Sequence, residues 1–179
     1  MKVKNNLTCI GQKLKVCSGG PLSIHSSLRS GLQLWLLIYL RMTKSIYKTQ
    51  HVEQLDLNDS PALVVIQVYI TNAYRAYSIA DHYRAQGAYV ILGGLHVTSL
   101  PEEAELHADS IFIGPGEDTF PQFLKDFKSG NPKKRYTSTL RSLAGIPPIR
   151  RDLIKRHLYL VPNSIVVTRG CPHHCSFLL

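Results

Sequence analysis

An α/β fold, with a parallel sheet covered by helices on both faces, is what this sequence predicts, on three observations. The run Leu63-Val64-Val65-Ile66-Gln67-Val68-Tyr69-Ile70 is almost continuously apolar and rich in β-branched residues, which marks a strand buried on both faces. The period then changes: Ala73, Ala76, Tyr77, Ala80 and Tyr83 recur at three- and four-residue intervals, the single buried face of a helix. Two further strand-like segments follow, each joined by short turns to helical ones, the pattern of β-α-β units and not of hairpins.

The elements follow in order. In residues 1–60 periodicity and turn chemistry disagree; residues 13–16 read as a strand and residues 52–57 as a strand end. Residues 63–70 are the first clear strand. Thr71 or Asn72 stands where a side-chain oxygen caps the next helix, over residues 73–86, and Gly87 supplies a left-handed stop. Arg75, Asp81 and Arg84 fall largely outside the apolar face of that helix. A strand over 89–92 breaks at Gly93-Gly94, and a short acidic helical turn at 101–106 leads to a strand over 110–113. Gly114-Pro115-Gly116-Glu117 ends that strand. Phe120, Phe123, Leu124 and Phe127 then mark an amphipathic helix over 120–128, closed by Gly130. The result is a Rossmann-like (flavodoxin-like) sheet. Right-handed crossovers gather its strand-end loops on one edge, where open α/β sheets bind ligands. The composition divides the chain into an α/β domain over 1–135, a connector over 136–162 and a new domain opening at 163–179. The connector carries the break Ile146-Pro147-Pro148 and a short helix around 151–157; the last segment begins with the strand Ser164-Ile165-Val166-Val167-Thr168.

With 44% apolar and 18% charged residues in 179, the composition is globular, which excludes a globally disordered chain. A formal net charge of +9 suggests nucleic acid or another acidic partner, since Lys and Arg gain affinity for phosphates by releasing counterions. Yet the charge is scattered: Lys2/Lys4, Lys13/Lys15, Lys133/Lys134/Arg135, Arg150/Arg151 and Lys155/Arg156. Without a basic helix face or interleaved aromatics, solvated surface charge is the better account, and nucleic acid is not the expected partner. The apolar stretch over 32–40 is interrupted by Gln33 and is about half of the ~20 residues a membrane helix needs. No secretory signal is readable at the start of the chain. Cys9, Cys17, Cys171 and Cys175 do not suggest a secreted disulfide framework, so a cytoplasmic, reducing compartment is expected, with no membrane partner.

Chemistry concentrates in two places. The first is Thr168-Arg169-Gly170-Cys171-Pro172-His173-His174-Cys175-Ser176-Phe177, two cysteines four apart in a Gly/Pro-containing loop after a strand. Such a pair can converge on one metal, but two thiolates are too few for an iron–sulfur cluster. A zinc site using His173 or His174 would crowd four ligands into five residues. A pair with no metal is the third reading. The second place is Leu92-Gly93-Gly94-Leu95-His96-Val97-Thr98-Ser99-Leu100-Pro101-Glu102-Glu103-Ala104, then His107-Ala108-Asp109, then Gly114-Pro115-Gly116-Glu117. Gly93, Gly94, Gly114 and Gly116 let backbone approach a flat ligand where a Cβ would collide. Thr71 and Thr98 offer hydroxyls. Glu117 reads equally as a helix cap, and His96 more readily as a hydrogen-bonded structural residue than as a metal ligand.

These strings resemble the cobalamin-binding radical SAM family. Members read close to G-G-x-H-x-T-x-x-P-E-E, then H-A-D, then G-E-G-E, with Pro115 here in place of the usual acidic residue. The connector Leu143-Ala144-Gly145-Ile146-Pro147-Pro148…Arg151-Asp152 also fits, and the blocks run in order over roughly residues 50–177. The resemblance implies a corrinoid (cobalamin) site at Thr71, Gly93, Gly94, Thr98, Gly114, Gly116 and Glu117. A bulky residue at Gly94 is then expected to weaken corrinoid binding while folding stays largely intact. The D-x-H-x-x-G signature of His-ligated cobalamin is absent, which points to binding without a histidine on cobalt.

The cysteine loop resembles the opening of a radical SAM barrel, whose C-x3-C-x2-C motif holds a 4Fe–4S cluster with one iron open to S-adenosylmethionine. Cys171 and Cys175 match its first two positions. Leu178 stands at the third, where it cannot ligate. The expectation is therefore a chain that stops at the first strand of an incomplete barrel. It would keep a corrinoid-binding domain and a remnant cluster loop, without competent radical chemistry. Association with a complete radical SAM partner is left open. The alternative, from another functional class, is a non-catalytic α/β binding or interaction module without cofactor.

Overall fold

The computed structural model describes residues 14–18, 45–49, 57–142 and 144. Among them lies one six-stranded sheet, β1 Leu14–Ser18, β2 Ser45–Thr49, β3 Leu63–Gln67, β4 Tyr89–Gly93, β5 Ser110–Ile113 and β6 Arg135–Thr137. The strand order is β2-β1-β3-β4-β5-β6 and every pairing is parallel. Four helices belong to it: α1 Ala73–Ala85, α2 Leu95–Ser99, α3 Pro101–Ala104 and α4 Thr119–Lys128. The α/β Rossmann-like reading thus holds. The cysteine loop, the strand over 164–168 and the helix around 151–157 lie outside the described residues.

Over β3, β4 and β5 both faces of the sheet are buried, and the strand residues divide between them with the period of two that a pleat imposes. Val64, Ile66, Val90, Leu92 and Ile111 point to one side, where Ala76, Tyr77, Ala80 and Tyr83 of α1 and Val97 and Ala104 of α2 and α3 cover them. Leu63, Val65, Ile91 and Phe112 point to the other, under Phe120 and Phe123 of α4 and Tyr136 of β6. All five residues read as the inner face of α1 are buried. α1 and α4 lie on opposite faces, yet both crossovers step the same way along the sheet. The two connections therefore have opposite hands, and one departs from the right-handed rule.

Local departures have local causes. β3 stops at Gln67, three residues before the apolar run ends, because Asn72 turns its Oδ1 back to accept the Tyr69 N–H at 2.6 Å. Ile70–Asn72 then forms a 3₁₀ turn. Asn72 occupies the cap position of α1, but its side chain serves the preceding turn and not the helix. α1 closes as expected at Gly87: Ala88 N donates to Tyr83 O at 3.0 Å and Gly87 N to Arg84 O at 2.9 Å, a Schellman motif. Between β4 and β5 there are two short helices instead of one turn. Leu100, held out of helical geometry (φ −131°, ψ 65°) ahead of Pro101, separates them.

The edge strands were the hardest to foresee. β1 begins one residue later and ends two residues later than the strand read at 13–16. β2 lies at Ser45–Thr49, ahead of the strand end read at 52–57; Leu57 is in no strand, and 52–56 lie outside the described residues. β6 reaches Thr137, two residues past the boundary read at 135. Its one core side chain is Tyr136, stacked on Phe112 at 5.1 Å, with its hydroxyl donating to Asp126 Oδ2 at 2.9 Å and accepting Lys133 N–H at 2.9 Å. Burial foremost pushes that phenol up to about 12.

Candidate functional site

Because the strands are parallel and adjacent, β3, β4 and β5 end on one edge, and the loops that leave them carry all seven residues read as cofactor contacts. Thr71 is exposed in the 3₁₀ turn after β3. Gly93 is the last residue of β4, its carbonyl accepting Val68 N–H at 2.8 Å. Gly94 follows with φ 119°, and Gly114 leaves β5 with φ 80°. Thr98 of α2 stands between them: its hydroxyl donates to Gly94 O at 3.0 Å and accepts Gly114 N–H at 3.0 Å. Gly116 and Glu117 run into α4, where Gly116 O accepts Phe120 N–H at 2.9 Å.

The glycines are required, but by the protein's own backbone. A Cβ on Gly94 would come within 2.6 Å of Val68 O, and one on Gly114 would overlap Ser138 O. Both positive φ values add strain for any other residue. The expectation that bulk at Gly94 leaves folding largely intact is therefore corrected, since such a side chain strikes the Val68 backbone, just past β3, before it meets any ligand. Glu117 is only 4% exposed, so its carboxylate is not on the open rim.

Behind the rim, on the α1 face, the remaining motif residues form a polar array. His96 Nε2 lies 3.2 Å from Glu103 Oε1, and His107 Nδ1 lies 2.8 Å from Asp81 Oδ2. The ring of Tyr77 stacks on His107 at 4.4 Å and tilts toward His96 at 6.2 Å. His96 beside it foremost holds the Glu103 carboxyl below the usual carboxylate value. Burial, then the Glu103 carboxylate, pushes the Tyr77 phenol well up. Asp109 joins the array to the sheet, accepting Val90 N–H at 2.7 Å and facing Arg84 at 3.5 Å. The H and the second E of P-E-E in the first block, and the H and D of the second, thus have structural partners. Among the described residues no group of three or more His, Cys, Asp or Glu could hold a metal ion.

Three residues escaped the sequence reading. Ile70, Tyr74 and Leu95 are 80%, 89% and 60% exposed, and each follows directly on a rim loop, at the ends of β3 and β4. Leu106 at 73%, Leu100 at 46% and Leu140 at 36% are exposed as well, but Ile70, Tyr74 and Leu95 are the ones beside the strand-end loops of β3 and β4. Only Leu95, next to Gly93-Gly94, had a signal in sequence. Ser138 was hidden among basic residues; its Oγ donates to Asp118 Oδ2 at 2.9 Å and accepts Leu140 N–H at 3.1 Å.

The fold and rim define a parallel α/β domain whose motif residues converge at the carboxyl edge of the sheet. Known proteins place it near methyltransferases. The bacteriochlorophyllide d C-8(2)-methyltransferase of Chlorobaculum tepidum is 37% identical over 117 residues, covering 59% of this chain and 25% of the relative. The bacteriochlorophyllide d C-12(1)-methyltransferase of the same organism is 34% identical over 122 residues, covering 64% of this chain and 26% of the relative. An uncharacterised methyltransferase of Synechocystis sp. is 31% identical over 96 residues, covering 52% of this chain and 18% of the relative. The chain spans about a quarter or less of the length of these relatives. No family model matches. Among solved structures, the N-terminal domain of a hypothetical protein of Thermotoga maritima aligns at 21% identity and a TM-score of 0.44, covering 63% of this chain and 92% of that one. Among the described residues, no helix is long and apolar enough to cross a membrane.

Proposed function

We propose that the α/β domain binds a corrinoid across the carboxyl ends of β3, β4 and β5, in a protein of the B12-dependent radical SAM methyltransferase type. The observation that carries the reading is the convergence of the motif glycines on one edge beside exposed Ile70, Tyr74 and Leu95. The glycines let the strand-end turns fold close to neighbouring backbone, and a flat macrocycle also needs apolar surface around it, which Ile70, Tyr74 and Leu95 offer. The sequence relatives are methyltransferases, and a bound corrinoid supplies a carrier for methyl groups. The protein's part is to seat the ring and keep water from it. His96 is engaged with Glu103 on the α1 side, and the reading leaves cobalt without a histidine.

Titration of the full chain with hydroxocobalamin, followed by its visible absorption, tests the reading. The wild type is expected to saturate at one corrinoid per chain. Leu95→Asp should bind about tenfold or more weakly, because a buried, unpaired carboxylate costs well over 1 kcal/mol. Its melting temperature should stay within about 2 °C, since Leu95 is exposed. No saturable binding by the wild type would end the proposal.

The iron–sulfur half of the resemblance does not fit the donor set. Cys171 and Cys175 supply two thiolates, and Leu178 at the third position supplies none. Anaerobic loading with iron and sulfide should leave iron substoichiometric. A strong reductant and S-adenosylmethionine should then give no 5′-deoxyadenosine above a protein-free control; formation dependent on the protein would overturn this part.

One observation favours the other reading, an α/β module without cofactor: His96, Thr98, His107 and Asp109 all have intramolecular partners. The same titration separates the two.

A further inference from the structure

The hydroxyl of Thr98 has a task that the sequence did not announce. A threonine hydroxyl has one proton to give and two lone pairs to accept with. Here the proton goes to Gly94 O and one lone pair takes the Gly114 N–H, each at 3.0 Å. The last paired residues of β4 and β5 are Gly93 and Phe112, so Gly114 N–H lies just beyond the ladder and Thr98 continues it with a side chain. Gly94 O also accepts the Thr98 backbone N–H at 3.0 Å.

Neither turn that the hydroxyl joins can give way easily. Gly94 is backed by Val68 O and Gly114 by Ser138 O. The tie extends one strand further through Ser138, whose N–H donates to Ile113 O at 2.9 Å and whose Oγ donates to Asp118. The Thr98 hydroxyl thereby joins the ends of β4 and β5, while the Ser138 backbone N–H joins the ends of β5 and β6 and its hydroxyl ties that point to the start of α4.

We infer that Thr98 is a positioning residue of the rim: its hydroxyl fixes the spacing and level of the Gly94 and Gly114 turns, against which a flat ligand is seated, and does not itself contact that ligand. This rests on the corrinoid reading for its ligand but not for its geometry. Without the hydroxyl, Gly114 N–H has no acceptor there and the turn opens more often. A rigid ring then binds a less populated arrangement, and its apparent affinity falls by that fraction.

The test uses the full chain with Thr98→Val, Thr98→Ala and Thr98→Ser, read by amide hydrogen exchange without ligand and by hydroxocobalamin titration. Valine and alanine should each speed exchange at Gly114 about tenfold and weaken binding about five- to tenfold, the cost of one lost hydrogen bond. Serine should keep both within about threefold of wild type. Alanine, which cannot overpack, decides the matter if valine does not fold. Weaker binding with Gly114 exchange unaltered would make Thr98 a direct ligand contact and overturn the inference. A serine variant that behaves like alanine would overturn it too, assigning the effect to the methyl group. If the wild type binds no hydroxocobalamin, the corrinoid reading fails. The tie between the strand ends then stands or falls on the exchange at Gly114 alone.

Discussion

Gly114→Val is expected to destabilise the α/β domain severely. The substitution puts a β-branched residue at φ 80°, a conformation that costs an ordinary L-residue about 1–2 kcal/mol and a β-branched one more. It also drives a Cβ into Ser138 O, a carbonyl held where the chain leaves β6. Backbone cannot step aside as a side-chain tip can. Together these costs should exceed about 3 kcal/mol, a large share of the 5–15 kcal/mol that typically holds a domain together. Gly87→Ala is the control. Its φ is 85°, but nothing lies within 4 Å of the added carbon, so only the dihedral cost of about 1 kcal/mol applies. Urea unfolding followed by far-ultraviolet circular dichroism measures both. Equal losses for the two variants would mean that the close approach to Ser138 does not exist in solution.

Phe123→Ala should be nearly as severe, at about 3–5 kcal/mol. The Phe123 ring sits among those of Phe112 at 5.8 Å, Phe120 at 6.0 Å, Phe127 at 5.4 Å, Tyr136 at 5.6 Å and Tyr89 at 6.0 Å. These come from α4, β4, β5 and β6, so no single neighbour can relax into the space left behind. Tyr74→Ala, which removes a ring that is almost fully exposed, should stay within about 0.5 kcal/mol. A loss below about 1.5 kcal/mol for Phe123→Ala in the same denaturation would show that the aromatic layer under α4 is not packed as described.

The middle of the fold was legible because its signals are local and redundant. β3 announces itself by a run too apolar for a one-sided strand, and α1 by a face on which every predicted residue proves buried. β6 has no such redundancy. It is three residues long, exposes two of them, and follows two lysines. Its place depends on Tyr136 reaching Phe112, twenty-four positions earlier, which no local pattern reveals.

The rim divides in the same way. Glycines at strand ends can be read from sequence, because a strand that stops at Gly-Gly or Gly-Pro-Gly must turn there. The atom each glycine must clear cannot. Val68 O and Ser138 O stand opposite Gly94 and Gly114 only once the strands are in register. His96 likewise meets Glu103 from across the Leu100 break, at a separation no single helix would produce.

The central place of β1 bears on how the chain assembles. It lies between β2 and β3, so the side of β3 away from β4 is finished by a strand that ends at Ser18, about 45 residues before Leu63. Pairing across such a gap pays its loop-closure entropy before any contact rewards it, and parallel sheets are slow to form for that reason. While the β3–β6 half waits, the backbone of Val64, Val65 and Ile66 presents an open apolar edge to any passing strand. During refolding at high concentration, that edge is the natural nucleus of aggregation, and the step that protects the molecule is the arrival of β1.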